Sequence, residues 1–188
     1  LIETYQVTGK KEFADFANDL LQYIDRDMTS KEGAFFSAED ADSEGVEGKF
    51  YVWTQEEVEQ ILGRKTASIA IPYYNIIPGG NFDGKNILNI TRDPKTVAKD
   101  VGMQEADGLK ELAIAREKLL EVRSKRIRPL LDDKILTSWN ALMISAMAKT
   151  GRVLDDVERI QKSARAMEFL LTQLRTPEGK ILRRYRDG

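Results

Sequence analysis

From Thr137 to Ala148 the chain carries no charged residue at all. A helix apolar nearly all round predicts burial on both sides, since a surface helix needs one polar face. Its neighbours read differently. Phe13, Phe16, Ala17, Leu20, Leu21 and Ile24 recur at spacings of three and four between Lys10 and Asp27, which makes one apolar stripe. Val157, Ile160, Ala164, Met167, Leu170, Leu171 and Leu174 do the same up to about Arg175. A buried helix between one-faced helices implies alternating inner and outer helices in two layers. The expected class is mainly α, with short β-hairpins in the connections.

The other segments fit between these helices. Two aromatic-rich runs, Gly33–Ser37 and Lys49–Trp53, flank an acidic Gly/Asp/Ser turn and predict a β-hairpin with a long tip. Thr54 and Glu57 have capping-box spacing, so a helix starts there and stops at Gly63. Residues 66–75 predict another helix, Asn81–Asn86 a turn, and Ile87–Ile90 an extended piece. Asp93-Pro94 opens a helix that Gly102 ends, and a long helix spans Gln104 to about Lys125. Gly151 is expected to terminate the uncharged helix.

An echo runs through the chain. Thr8-Gly9, a one-faced helix and Ser30-Lys31-Glu32-Gly33 are matched by Thr150-Gly151, a one-faced helix and Thr176-Pro177-Glu178-Gly179. A polar turn follows each copy, Asp40–Gly45 in one and Arg186-Asp187-Gly188 in the other. The offset is 142 at Thr8/Thr150 and 146 at Glu32/Glu178 (150 − 8 and 178 − 32). Recurrence of a helical hairpin marks a repeat architecture.

Composition narrows the chemistry. The 188 residues include no His and no Cys. Imidazole bases, Ser-His-Asp triads, thiol nucleophiles and Cys/His metal sites are therefore excluded from this segment. Net charge is −2, which gives no pull toward nucleic acid or anionic membrane. No apolar run reaches the roughly 20 residues of a membrane span, and no signal peptide is visible. A cytoplasmic location is expected. The chain opens at Leu1 without Met and reads as a slice of something longer, residues 1–188 forming one segment of a larger domain.

Four motifs stand in order: Phe35-Phe36-Ser37-Ala38-Glu39-Asp40-Ala41-Asp42-Ser43-Glu44-Gly45, then Glu47–Trp53, then Asn81–Leu88, then Arg126-Ile127-Arg128-Pro129 through Asp132-Asp133 to Asn140. The series resembles the spermatogenesis-associated, thioredoxin-domain-containing protein family and its bacterial and archaeal relatives. Ala34 departs from it, standing where a second Gly is expected. The resemblance implies an N-terminal thioredoxin-like domain, absent here, followed by an α/α toroid like that of six-hairpin glycosidases and sugar epimerases. This chain would be a partial α/α toroid. The expected function is carbohydrate binding or carbohydrate chemistry with Asp/Glu acid–base residues. The alternative is a non-catalytic scaffold serving the thioredoxin-like domain. An isolated slice is expected to self-associate, because helix faces that meet missing neighbours stay open.

Candidate catalytic groups are Asp132, Asp133, Asp40 and Asp42. The first pair either caps the following helix or supplies a carboxylate at the toroid mouth. The second pair lies in the acidic turn, where it either caps backbone N–H groups or acts as acid or base. That turn begins like a calcium loop, but the twelfth position is Tyr51 where a bidentate Glu is required. No metal or cofactor is therefore expected. Trp139 and Asn140 are candidates for stacking and hydrogen bonding to a sugar or sugar-like molecule, or for core and internal pairing. Tyr51 and Trp53 would share one strand face and line a cavity or fill a core. Arg126 and Arg128 would bind substrate or clamp Asp132 or Asp133.

Overall fold

The computed structural model describes residues 1–186, so the turn expected at Arg186-Asp187-Gly188 lies largely outside the described residues. Helices α1 (Ile2–Thr8), α2 (Lys11–Asp27), α3 (Gln55–Tyr73), α4 (Pro94–Asp100), α5 (Glu105–Ser124), α6 (Thr137–Val153) and α7 (Val157–Gln173) make the chain mainly helical. Six two-residue strands join them: β1 (Ala38–Glu39), β2 (Asp42–Ser43), β3 (Val46–Glu47), β4 (Leu131–Asp132), β5 (Ile135–Leu136) and β6 (Arg184–Tyr185). All three strand pairs are antiparallel: β1 with β4, β2 with β3, and β5 with β6. The chain divides into two compact units, residues 1–39 with 131 onward, and residues 40–130. No helix among the described residues is long and apolar enough to cross a membrane.

The first unit is organised around α6 packed on α7. Asp156 caps α7 by accepting from the Arg159 N–H at 3.0 Å, satisfying one of the orphan donors at a helix start. Its core joins Leu21 of α2, Phe35, Ile135, Met147 of α6, and Phe169 and Leu174 from α7 and its cap. Removing each such side chain from water contributes about 1.5–3 kcal/mol. The α6 helix buries one face, through Asn140, Ile144, Met147, Thr150 and Gly151. Leu142 is 72% exposed and Trp139 is 55% exposed, so burial on both sides is not what the described chain shows. The helix also continues two residues past Gly151. That glycine sits inside α6, where an added Cβ would lie 2.8 Å from the Asp156 carbonyl oxygen. It permits a close approach and does not stop the helix.

The echo is a structural repeat with one constant offset. Helix α7 begins 146 residues after α2 (157 − 11), and β6 begins 146 after β1 (184 − 38). The loop hydrogen bonds coincide. Ser30 N–H donates to Ala34, Gly33 to Ser30 and Phe36 to Met28, while Thr176 donates to Lys180, Gly179 to Thr176 and Leu182 to Leu174. The left-handed residue just before α2 is Gly9 (φ 67°) and just before α7 is Asp155 (φ 55°) (155 − 9 = 146). The counterpart of Gly9 is thus Asp155, and the offset of 142 inferred through Gly151 is corrected. Both copies end on the same extended segment, β1 pairing with β4 and β6 with β5.

The second unit packs α3 against α5 around Trp53, Val58, Leu62, Ala70 and Leu119. Thr54 and Glu57 form the expected capping box, and Gly63 (φ 72°) breaks α3 between its two halves. Asp93 caps α4 through the Thr96 N–H at 2.9 Å. The predicted hairpin between residues 33–37 and 49–53 does not form. Phe35 bridges to Thr29 and Trp53 to Asn86. The acidic turn instead makes its own hairpin, β2–β3, with Glu44 (φ 55°) and Gly45 (φ 72°) as the two loop residues. Two consecutive positive φ angles are what a two-residue hairpin loop of matching twist requires.

Candidate functional site

The extended segment that receives both repeat copies also forms a cleft. Ser37 and Ala38 arrive from the first copy, Arg183 and Arg184 from the second, and Asp132, Lys134 and Trp139 from the segment and the start of α6. The cleft measures about 630 Å³. Its walls are held by backbone pairing: Ser37 N–H donates to the Asp132 carbonyl at 3.2 Å and Thr137 N–H to the Arg183 carbonyl at 3.1 Å. The Thr137 hydroxyl donates to the Leu182 carbonyl at 2.5 Å. Ala38, Asp132, Leu136 and Arg184 stand on short strands and Trp139 on the first turn of α6, while Ser37, Lys134 and Arg183 lie on the segments beside them.

Asp132 meets Lys134 at 2.9 Å. The Lys134 ammonium beside it is the main reason that its carboxyl is held below its ordinary value, against a smaller opposing effect of desolvation. Asp132 is therefore an ionised acceptor at neutral pH. Asp133 turns to Arg186, whose Nε lies 2.8 Å from its carboxylate. Trp139 offers its indole to the cleft from the open side of α6.

Asn140 lies one residue further on and is 1% exposed. It accepts from the Phe35 N–H at 2.8 Å and donates to the Phe35 and Leu136 carbonyls at 2.8 and 3.1 Å. Both amide protons and the carbonyl oxygen are used inside the protein. Asn140 pins the first copy's loop to α6.

The remaining candidates fall in the second unit. Asp40 accepts from the Asp42 N–H at 3.3 Å, and both sit in the exposed acidic hairpin. Tyr51 and Trp53 do not share a strand face, because residues 49–51 form a turn. Tyr51 is 37% exposed and Trp53 is 2% exposed. Arg126 lies over the Trp53 ring at 3.8 Å. It donates to the Phe50 and Val52 carbonyls and to the Glu57 carboxylate at 2.7 Å. Arg128 lies over the Phe50 ring at 5.4 Å. The expected clamp of Arg126 on Asp132 or Asp133 is therefore replaced: Arg126 takes Glu57, Asp132 takes Lys134 and Asp133 takes Arg186. No group of three or more Asp or Glu residues suited to a metal ion occurs among the described residues.

With the cleft and the repeat defined, comparison with known proteins is informative. No family model matches the sequence. Human spermatogenesis-associated protein 20 is 31% identical over 193 residues, covering 89% of this chain and 25% of the human protein. The chain is similar to spermatogenesis-associated protein 20. Its mouse form is 30% identical over 89% of the chain, and an uncharacterized protein of Caenorhabditis elegans is 30% identical over 81%. The chain spans about a quarter of the length of the curated relatives it matches. The similarity agrees with the family resemblance carried by the four ordered motifs.

Residue-by-residue reading missed Ser37, Lys134, Arg183 and Arg184 as cleft residues. The echo held the signal for three of them. At an offset of 146, Arg183 and Arg184 fall opposite Ser37 and Ala38 (37 + 146 and 38 + 146), so a reading that followed the repeat into its strands would have found both walls. Asn86 was also missed as a buried amide. It is 1% exposed, accepts from the Ile77 N–H at 2.9 Å and donates to the Trp53 carbonyl at 3.3 Å.

Proposed function

We propose that this chain is a slice of an α/α toroid and that the cleft of its first unit binds a carbohydrate. One observation carries the reading: a half-exposed Trp139 indole stands at a cleft that also holds the ionised Asp132. An indole face matches the apolar face of a pyranose ring, and a fixed carboxylate accepts from its hydroxyls. Convergence of one aromatic platform and a few polar groups in a concave site is what small-molecule recognition requires. In this reading Asp132 is a hydroxyl acceptor, because the neighbouring ammonium keeps it deprotonated. The repeat of paired helices supports the toroid.

The test is a titration of the full-length protein with a panel of monosaccharides and short oligosaccharides, read by tryptophan fluorescence and by calorimetry. Binding is expected for at least one sugar, with the fluorescence change lost in Trp139→Phe and the affinity reduced in Asp132→Asn. A panel that produces neither heat nor a fluorescence change would refute the reading.

A second reading rests on a separate observation. Phe16 and Leu20 on α2 and Leu142 on α6 are each more than half exposed, at 60%, 55% and 72%. Apolar side chains of that size left open suit docking against protein, which favours a scaffold role toward a thioredoxin-like domain of the longer protein.

A further inference from the structure

The cleft is symmetric in backbone and asymmetric in charge. Ser37-Ala38 and Arg183-Arg184 occupy equivalent positions of the two repeat copies, and both pairs line it. The first copy places a hydroxyl just before β1 and a methyl on its first residue. Its strand pairing needs no arginine, since Ala38 and Glu39 pair with Asp132 and Leu131 through backbone alone. The second copy places two guanidiniums where the first shows that small residues suffice.

Among the described residues, no carboxylate takes up those guanidiniums. Asp132 is held by Lys134 and Asp133 by Arg186. Among the described residues neither Arg183 nor Arg184 has a carboxylate partner. The residues that line the cleft include one acidic side chain (Asp132) and three basic ones (Lys134, Arg183, Arg184), a formal +2 on a chain whose total is −2. Two adjacent guanidiniums present planar forks of donors, which match carboxylate and phosphate oxygens better than any neutral group.

We propose that the cleft selects an acidic sugar, with its carboxylate or phosphate held by Arg183 and Arg184 and its ring face laid on Trp139. The inference rests on the carbohydrate reading above and adds the substrate class. Lys134 then has two tasks, neutralising Asp132 and adding to the positive field that draws the anion in.

The experiment is calorimetry on the full-length protein with four probes: glucuronate, glucose 6-phosphate, glucose and orthophosphate. The variant Arg183→Ser with Arg184→Ala installs the residues that the first copy already uses at this position, so its fold is maintained, as far-UV circular dichroism will show. Wild type is expected to bind glucuronate or glucose 6-phosphate at least about tenfold tighter than glucose, the scale of a charge-assisted bidentate contact. The arm that binds tells carboxylate from phosphate. The double variant should lose that preference while glucose affinity stays within about twofold. Raising the salt concentration should weaken only the acidic arms. Trp139→Ala should weaken the acidic sugar and leave orthophosphate unchanged.

Equal binding of glucose and both acidic sugars would overturn the acidic class and leave the carbohydrate reading standing. Absence of every sugar would overturn both. Orthophosphate binding as tight as the acidic sugar, with no effect of Trp139→Ala, would show an adventitious ion only and would also overturn the proposal.

Discussion

Replacing Asn140 with alanine should loosen the whole first repeat from α6. The side chain makes three hydrogen bonds in a site that is 1% exposed, two of them to the N–H and C=O of Phe35. Phe35 is itself 5% exposed, so water cannot reach those groups without opening the loop. Each stranded backbone group costs about 1–3 kcal/mol. The Leu136 carbonyl bond adds little, because that oxygen starts α6 and keeps its helical acceptor role. Alanine returns about 0.5 kcal/mol of helix propensity. The net loss is about 2–5 kcal/mol. Asn140→Asp is expected to be at least as harmful, since an oxygen would then face the Phe35 carbonyl and a charge would be buried. Hydrogen exchange followed by mass spectrometry on the full-length protein reads the effect locally, and a denaturant melt reads it globally. Protection of residues 28–36 should fall in the variant. Residues 174–182 serve as an internal control, because Ile181 occupies the same place in the second copy and among the described residues has no amide clamp. If Asn140→Ala lowers the unfolding free energy by less than about 0.5 kcal/mol and leaves exchange at 28–36 unchanged, the clamp argument is wrong.

Two further predictions follow from the same accounting. Glu111 is buried, accepts from Thr66 at 2.6 Å and pairs with Lys65 at 2.6 Å, and these contacts, Lys65 first, hold its carboxyl below the ordinary 4.5. A depressed carboxylate stabilises the fold fully above the unfolded value, and the contribution is lost as pH falls through the lower folded value. The stability gap between wild type and Glu111→Gln should therefore be constant from pH 8 to about 5 and shrink below about 4.5; a gap unchanged down to pH 3 would contradict this. Gly151→Ala gains about 0.8–1 kcal/mol of propensity but drives a Cβ to 2.8 Å from the Asp156 oxygen and the Ile160 side chain, and overpacking costs about 1–3 kcal/mol. The variant should melt at a lower midpoint than wild type, and a stabilised variant would show that α6 and α7 can move apart freely.

Helix periods, caps and most breakers were legible because they are local, the expected stop at Gly151 being the exception. The stripes of α2 and α7, the Thr54–Glu57 box, the Gly63 break and the Asp93-Pro94 start depend on residues within a turn or two of one another. Strand partners were not legible. Residues 38–39 pair with residues 131–132, far along the chain, and two aromatic runs near each other in sequence suggested a nearer pairing that never forms. The side chains of α6 gave the right helix and the wrong environment, since lack of charge reports what a face could bury and not whether a neighbour is present. The site was half visible for the same reason. Asp132 and Trp139 line one cleft, whereas Asn140, Trp53 and Arg126 are spent on internal bonds that only three-dimensional contact reveals.

The pairing of β1 with β4 has an evolutionary consequence. Glu39 and Leu131 face each other in register, so the two ends of residues 40–130 emerge from adjacent antiparallel strands. Directly opposed residues in such a ladder stand about 4.5–5.5 Å apart, a gap that a tight turn of a few residues can bridge. Everything between them is thus a cassette on a closed stem. A change in the length of that segment can be accommodated at the stem without shifting the register in which Ala38 and Glu39 meet Asp132 and Leu131.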